Sequence, residues 1–224
     1  MIRAGNTYGE EICVVSGGKT LICDFSNGAS STFRSAESAL EGERITSVDA
    51  YMITKCTARQ IAAVKRAYET ERIGTVYIVT KNADAYAYRE IAEYLESNGI
   101  EMIEIAGSGD VFEFGNTEIL FSVNPVTPNE SDSAAAMRIS CGDESVAYLE
   151  PGLSALHPSA ISDVRQADRV IFGSNGLTFG KSYVSPSDFG NCRIIAFSDG
   201  SHLSGFAHKS VYDIYSTVVL NIDQ

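Results

Sequence analysis

No stretch of this chain stays apolar for long. Runs such as Val76–Val79 and Val218–Leu220 fall far short of the roughly 20 residues that a bilayer-spanning helix needs, so no transmembrane helix and no direct membrane insertion by this segment are expected. The first residues, Met1-Ile2-Arg3-Ala4-Gly5-Asn6, lack the apolar core of about 7 to 15 residues that a secretory signal requires. Nothing in this segment is expected to export it, although a larger parent protein could. Cations are scarce as well: Lys and Arg total 17 against 29 Asp and Glu, giving a net charge of −12 and a pI near 4.6. That balance repels a polyanion, and no stretch gathers Lys and Arg with aromatic residues, so autonomous nucleic-acid binding is not expected.

Metal and nucleophile patterns are missing too. Five cysteines (Cys13, Cys23, Cys56, Cys141, Cys192) are an odd, widely spaced set, and three sit within apolar strand-like runs. They read as buried free thiols, since an unpaired Cys behaves as a small hydrophobe. No His-x3-His or Cys-x2-Cys pair occurs, and His157 and His208 read as surface or capping residues. Gly-x-Ser-x-Gly is absent. Asp199, Ser201 and His202 are near neighbours, and groups on one strand or turn do not reach each other in triad geometry, so they read as a polar turn. Gly18-Lys19-Thr20 imitates the end of a phosphate-binding loop, but the glycine required five positions earlier is Cys13, and a strand rather than a helix follows.

What remains is an ordinary globular composition, 44% hydrophobic and 21% charged over 224 residues, enough for a substantial core and read here as one domain. Ile12–Val15 and Thr20–Phe25, joined by Ser16-Gly17-Gly18-Lys19, predict a β-hairpin. A polar loop at Asn27–Ser31 and a short helix over Arg34–Glu43 precede a strand at Ser47–Thr54. Thr57–Glu69 is helical, with Ile61, Val64 and Tyr68 on one stripe; Gly74–Thr80 is a strand; Asp84–Asn98 is an amphipathic helix stopped by Gly99. Short strands follow at Glu101–Ala106, Val111–Phe114, Thr117–Val123, Ala135–Ser140 and Ser145–Leu149, with a loop-rich stretch at Asn124–Ser133. A helix near Pro158–Gln166 and strands at Arg169–Phe172 and Arg193–Phe197 complete the pattern. Two strand-rich halves, each with helices, predict two sheets packed face to face with helices outside.

The informative segment is Val48-Asp49-Ala50-Tyr51-Met52-Ile53-Thr54-Lys55-Cys56-Thr57-Ala58-Arg59-Gln60-Ile61-Ala62-Ala63-Val64. It resembles the strand, turn and helix of the metallo-β-lactamase superfamily, in which an apolar strand ending in Thr leads into His-x-His-x-Asp-His and a helix. The family's first three ligand positions fall on Lys55, Thr57 and Arg59 and its fourth on Gln60. Leu21-Ile22-Cys23-Asp24 looks like the family's early strand ending in Asp. Ser145-Val146-Ala147-Tyr148-Leu149-Glu150-Pro151 is similar to the strand of ComEC-type DNA-uptake (competence) proteins that delivers a metal-ligating Asp, here Glu150 or Pro151. Ala167-Asp168-Arg169-Val170-Ile171-Phe172-Gly173-Ser174-Asn175-Gly176 resembles that subfamily's run ending in Gly-His-His-Gly, with Ser174 and Asn175 at the His positions.

The resemblance implies a single α/β domain of 1–224, an αββα sandwich with its metal motif degenerate. A di-zinc hydrolase needs imidazoles and carboxylates converging on each cation, and none of the matched positions offers an imidazole. Lys55 and Arg59 bring positive charge instead; a unit charge pair about 4 Å apart interacts by about 4 kcal/mol at an effective dielectric of 20, and a divalent ion doubles the repulsion. Arginine stays charged in proteins, so Arg59 opposes a metal there unless its side chain points out of the site. No cofactor or metal is expected. The leading expectation is a catalytically silent scaffold or interaction module of a DNA-uptake protein, its partner an unidentified protein or a parent membrane protein. The alternatives are a pseudoenzyme that binds an anion through Lys55, Arg59, Gln60, Ser174, Asn175 and Glu150, a residual metal-dependent hydrolase, and an enzyme of unrecognised chemistry. Within the vacated site, Lys55 and Gln60 are expected to approach Ser174 and Asn175 and to close it by hydrogen bonds among themselves and to Asp24 or Glu150. Buried donors left without acceptors cost about 1 to 3 kcal/mol each.

Overall fold

At the turn Gly17-Gly18 both residues take left-handed backbone angles, φ 58° and 75°. A two-residue hairpin turn that follows the natural twist of its strands needs positive φ at both positions, which glycine supplies without a Cβ clash. The turn joins β2 (Gly9–Ser16) to β3 (Lys19–Asp24) and fixes their register from Ser16↔Lys19 down to Glu11↔Asp24. A computed structural model of the chain describes residues 2–6, 9–25, 38, 40–80, 83, 85–106, 108–123, 135–149, 166–172, 189, 192–197, 209–212 and 218–219.

The chain divides into two compact units, residues 1–106 with 217–220 and residues 107–216 with 221–224. In the first unit, β1 (Ile2–Asn6), the hairpin, β4 (Ala50–Ile53), β5 (Thr75–Val79), β6 (Glu101–Ile105) and β14 (Val218–Val219) form one seven-stranded sheet in the order β14-β1-β2-β3-β4-β5-β6. Pairing is antiparallel from β14 to β3 and parallel from β3 to β6. In the second unit, β7 (Ser108–Phe114), β8 (Thr117–Val123), β9 (Ala135–Cys141), β10 (Glu144–Leu149), β11 (Arg169–Phe172), β12 (Arg193–Phe197) and β13 (Lys209–Tyr212) lie in the order β13-β12-β11-β10-β9-β8-β7. The antiparallel run here is β7 to β10 and the parallel run β10 to β13. The two sheets therefore repeat one pairing pattern, which no sequence repeat announces.

Two helices carry the crossovers between parallel strands of the first unit, α1 (Ala58–Glu71) and α2 (Ala85–Ser97). Their apolar stripes, Ile61, Val64 and Ala67 on α1 and Ile91 and Leu95 on α2, pack on alternate residues of the strands: Cys13, Ile22, Tyr51, Ile53, Val76 and Ile78. Period 3.6 meets period 2, and each Ile, Leu or Val so buried contributes about 1.5–3 kcal/mol. The helices also meet each other through an exposed Lys65–Glu90 ion pair at 2.7 Å and an edge-to-face contact of Tyr68 with Tyr94. α2 ends where Gly99 turns left-handed at φ 66°.

The expected buried strand ahead of a helix near Ala58 is present as β4, whose four residues are all buried in the middle of the parallel run. It starts later than expected, at Ala50, because Asp49 is occupied in tying the chain to the hairpin: its carboxylate accepts from Thr20 N–H at 2.8 Å and its own N–H donates to Thr20 O at 2.9 Å. Strands β1 and β13 were not expected, since Ile2–Asn6 and Lys209–Tyr212 lack a clean alternation. The helix expected at 158–166, apart from Gln166, and the loop at 124–133 lie outside the described residues. No helix among the described residues is long and apolar enough to cross a membrane.

Candidate functional site

The segment between β4 and α1 is short, and each of its residues has a task. Thr54 is buried, and its hydroxyl donates to the backbone oxygen of Asp24 at 2.9 Å. Cys56 is buried with φ 49°, a left-handed angle that is strained for a side chain other than Gly, Asn or Asp. Thr57 is the N-cap of α1, extended at φ −80° and ψ 156°, and its hydroxyl oxygen accepts from Gln60 N–H at 3.2 Å. Three of the residues at matched ligand positions diverge from here: Lys55 is half-buried, Arg59 is exposed, and Gln60 is fully buried.

Gln60 joins three pieces of chain. Its amide nitrogen donates to the backbone oxygen of Asp24 at 2.8 Å, and its amide oxygen accepts from Lys55 N–H at 2.9 Å. The side chain that the sequence resemblance sets at the fourth ligand position thus ties the end of β3 to the start of the loop. The residues at the four positions do not fit zinc. They present an ammonium, a hydroxyl committed to a helix cap, an exposed guanidinium and an amide committed at both ends, where a catalytic zinc takes imidazole and carboxylate.

One strand-width away lies a cluster of ionisable groups on the helix-covered face of the sheet. Tyr51 on β4, Asp24 at the end of β3 and Glu11 on β2 are all 0% exposed. The Tyr51 hydroxyl lies 3.1 Å from Asp24 Oδ2 and 3.3 Å from Glu11 Oε1. Burial, then the charges of Asp24 and Glu11, then its hydrogen bonds to them push the Tyr51 hydroxyl well above the ordinary tyrosine range. Burial, joined by the charges of Glu11 and Cys23, likewise pushes the Cys13 thiol up, with the chain's amino terminus acting the other way.

Of the other expected site residues, Glu150, Ser174 and Asn175 lie outside the described residues, as do Pro151, His157, His202 and His208. The five cysteines are free; Cys13, Cys23 and Cys56 are buried as expected, while Cys141 and Cys192 are half-buried. Cys141 is the last residue of β9, beside the turn at Gly142, and Cys192 immediately precedes β12, so neither sits in the middle of a strand.

Two signals in the sequence were available and unused. Thr57-Ala58-Arg59-Gln60 has the Thr-x-x-Gln spacing of a capping box, which assigns Gln60 a structural role; here its side chain reaches past the cap to Lys55 N–H. The two-glycine turn sets Glu11 opposite Asp24, and such a pairing of acids is legible once the register is counted outward from Gly17-Gly18.

The chain matches no family model and no curated protein by sequence. Its structure is similar to solved ones. The metallo-β-lactamase fold protein YhfI from Bacillus subtilis aligns with a TM-score of 0.63 at 15% identity, over 97% of this chain and 98% of that one. Zn2+-bound PqqB from Methylobacterium extorquens aligns with a TM-score of 0.61 at 11% identity, over 95% and 87%. The short form of human tRNase Z aligns with a TM-score of 0.59 at 9% identity, over 99% and 100%. The element order, the two mixed sheets and these alignments over nearly the whole chain agree: this protein has the metallo-β-lactamase fold.

Proposed function

We propose that this chain is a catalytically silent metallo-β-lactamase-fold domain that serves as a scaffold or interaction module, in a DNA-uptake setting of the ComEC type. One observation carries the silent reading. Gln60, at the fourth ligand position, is fully buried and hydrogen-bonded at both ends of its amide to Asp24 and Lys55. A residue so committed holds the loop together, and its amide is engaged in structural hydrogen bonds. Lys55 and Arg59 in place of imidazoles add charge of the wrong sign for a metal. The ComEC-type setting is supported by the runs Ser145–Pro151 and Ala167–Gly176, which are similar to that subfamily's second-half strands with the ligands replaced.

The test is elemental analysis of the purified protein together with hydrolysis assays. Zinc, manganese and iron below one equivalent, and no turnover of DNA, phosphodiesters or β-lactams, are expected. Stoichiometric metal that survives chelation, or turnover abolished by Cys56→Ala or Glu150→Gln, would overturn the reading. The uptake setting predicts membrane-spanning segments flanking this one in the parent gene.

A further inference from the structure

We propose that the outer flank of α2 is a self-association surface, on which a second copy of this chain docks its own α2 in antiparallel. The proposal uses no residue of the β4–α1 loop and is independent of whether the domain is silent.

Helix α2 has three sides with separate tasks. Ile91 and Leu95 are buried against the sheet. Glu90 and Tyr94 face α1, where they meet Lys65 and Tyr68. The remaining flank lies away from α1 and over β6, where the Tyr88 hydroxyl donates to Glu104. β6 is the outer strand of its sheet, so no further strand of that sheet carries a neighbouring helix beyond α2.

On this flank Ala85, Arg89, Ala92 and Glu96 recur at spacings of four, three and four residues, which makes one continuous stripe along a helix. Together with Tyr88 and Glu93 they line an open groove of about 450 Å³. Ala85, Arg89, Glu93 and Glu96 are exposed and Ala92 is half-buried. The two alanines keep the floor of the groove low. A second helix can therefore approach at the usual interaxial distance of about 8–10 Å, with the long side chains of each reaching across the other.

The charges select the occupant. Arg89 lies toward the N-terminal end of the stripe and Glu96 at its C-terminal end, and neither forms an ion pair among the described residues. A uniformly cationic partner would meet Arg89, and a uniformly anionic one would meet Glu93 and Glu96, each a contact of like charges. A reversed copy of the same stripe avoids both. In an antiparallel pair centred between Ala92 and Glu93, Arg89 faces Glu96 of the second copy and Glu96 faces its Arg89, with the small Ala92 at the crossing. Glu93, about 100° round the helix from Ala92, stays at the solvent-exposed rim. This is the isologous arrangement of a two-fold dimer, in which every contact is made twice. Long-range repulsion between copies of net charge −12 is screened beyond about 8 Å at physiological salt, which leaves the local pairs to decide.

The test is sedimentation equilibrium of the whole chain over a wide range of concentration, with single and mixed charge reversals. Wild type should show a monomer–dimer equilibrium. Arg89→Glu sets acid against acid at both symmetric contacts, and Glu96→Arg sets cation against cation, so each variant alone should dimerise about a hundredfold more weakly. Mixed in equal amounts, the two variants should regain the dimer, because every contact is then again between opposite charges. Both positions are exposed, so the circular dichroism of each variant should match that of wild type. Wild type that stays monomeric throughout would overturn the proposal and leave the flank to some other partner. Single variants that associate as wild type does, or a mixture that remains monomeric, would overturn it too. The wild-type measurement needs no substitution, so it decides even if a variant fails to fold.

Discussion

The side-chain amide of Gln60 donates to the backbone oxygen of Asp24 at 2.8 Å, across 36 residues of sequence. This bond ties the first turn of α1 to the end of β3, and it is made by the residue that the sequence resemblance sets at the fourth ligand position. Four expectations follow from this bond and its surroundings.

Truncating Gln60 leaves Lys55 N–H without its acceptor, withdraws one donor from Asp24 O, and opens a cavity in a fully buried place. Gln60→Ala should destabilise the protein by about 2–4 kcal/mol, read as a lower urea midpoint at unchanged slope. A loss under about 0.5 kcal/mol would mean that the loop is held some other way.

At alkaline pH the protein should weaken. Burial, followed by nearby acids, holds the Cys13 and Cys23 thiols above their ordinary range, and does the same for the Tyr51 hydroxyl. The unfolded chain loses these protons from about pH 8.5 for the thiols and about pH 10 for the tyrosine. The folded chain keeps them, so this stability is fully present below about pH 8.5 and is lost as pH rises, by about 1.4 kcal/mol per unit for each group. Cys23→Ala should make the fall between pH 8 and 10 shallower. An identical fall in wild type and variant would remove Cys23 from the account.

Thiol labelling should separate the cysteines. Cys141 and Cys192 are half-buried, whereas Cys13, Cys23 and Cys56 are buried. Two equivalents of an aromatic disulfide reagent should react with native protein, and the other three thiols only at the rate of unfolding. Cys192 should be the slower of the first two, since burial and the charge of Asp168 raise its thiol. Fast reaction at Cys56 would show that the β4–α1 loop opens in the native state.

Although the chain divides into two compact units, we expect it to unfold as one domain. The outer strand of the first sheet, β14, is reached only through the chain of the second unit. Tyrosine fluorescence and far-ultraviolet circular dichroism should therefore give a single coincident transition in urea. Two separated transitions would mean two independent domains.

Much of the architecture was legible because its signals are local. Gly17-Gly18 announces a hairpin, Ile61, Val64 and Tyr68 fall on one helical stripe, and Gly99 stops a helix, each within a few residues of its effect. The repeat of one pairing pattern in both sheets was not legible, since it lies in which strands are neighbours and not in which residues compose them. The contact of Tyr51 with the two acids could not be read: Glu11 and Tyr51 are 40 residues apart, and a tyrosine inside Ala50–Ile53 looks like any large core residue until its hydroxyl is placed. The role of Gln60 fell between these cases, with its capping spacing visible and its partner, the Asp24 carbonyl, set by tertiary contact.

The Ile2↔Val219 pairing bears on how the protein is made. As the chain leaves a ribosome, β1 pairs at once with β2 through a short connection, while its other edge waits for nearly all of the remaining sequence. The second sheet has no such delay, because its outer antiparallel strand β7 immediately precedes β8. During synthesis the first sheet therefore presents a bare edge at β1, with Ile2–Asn6 offered to any extended segment nearby.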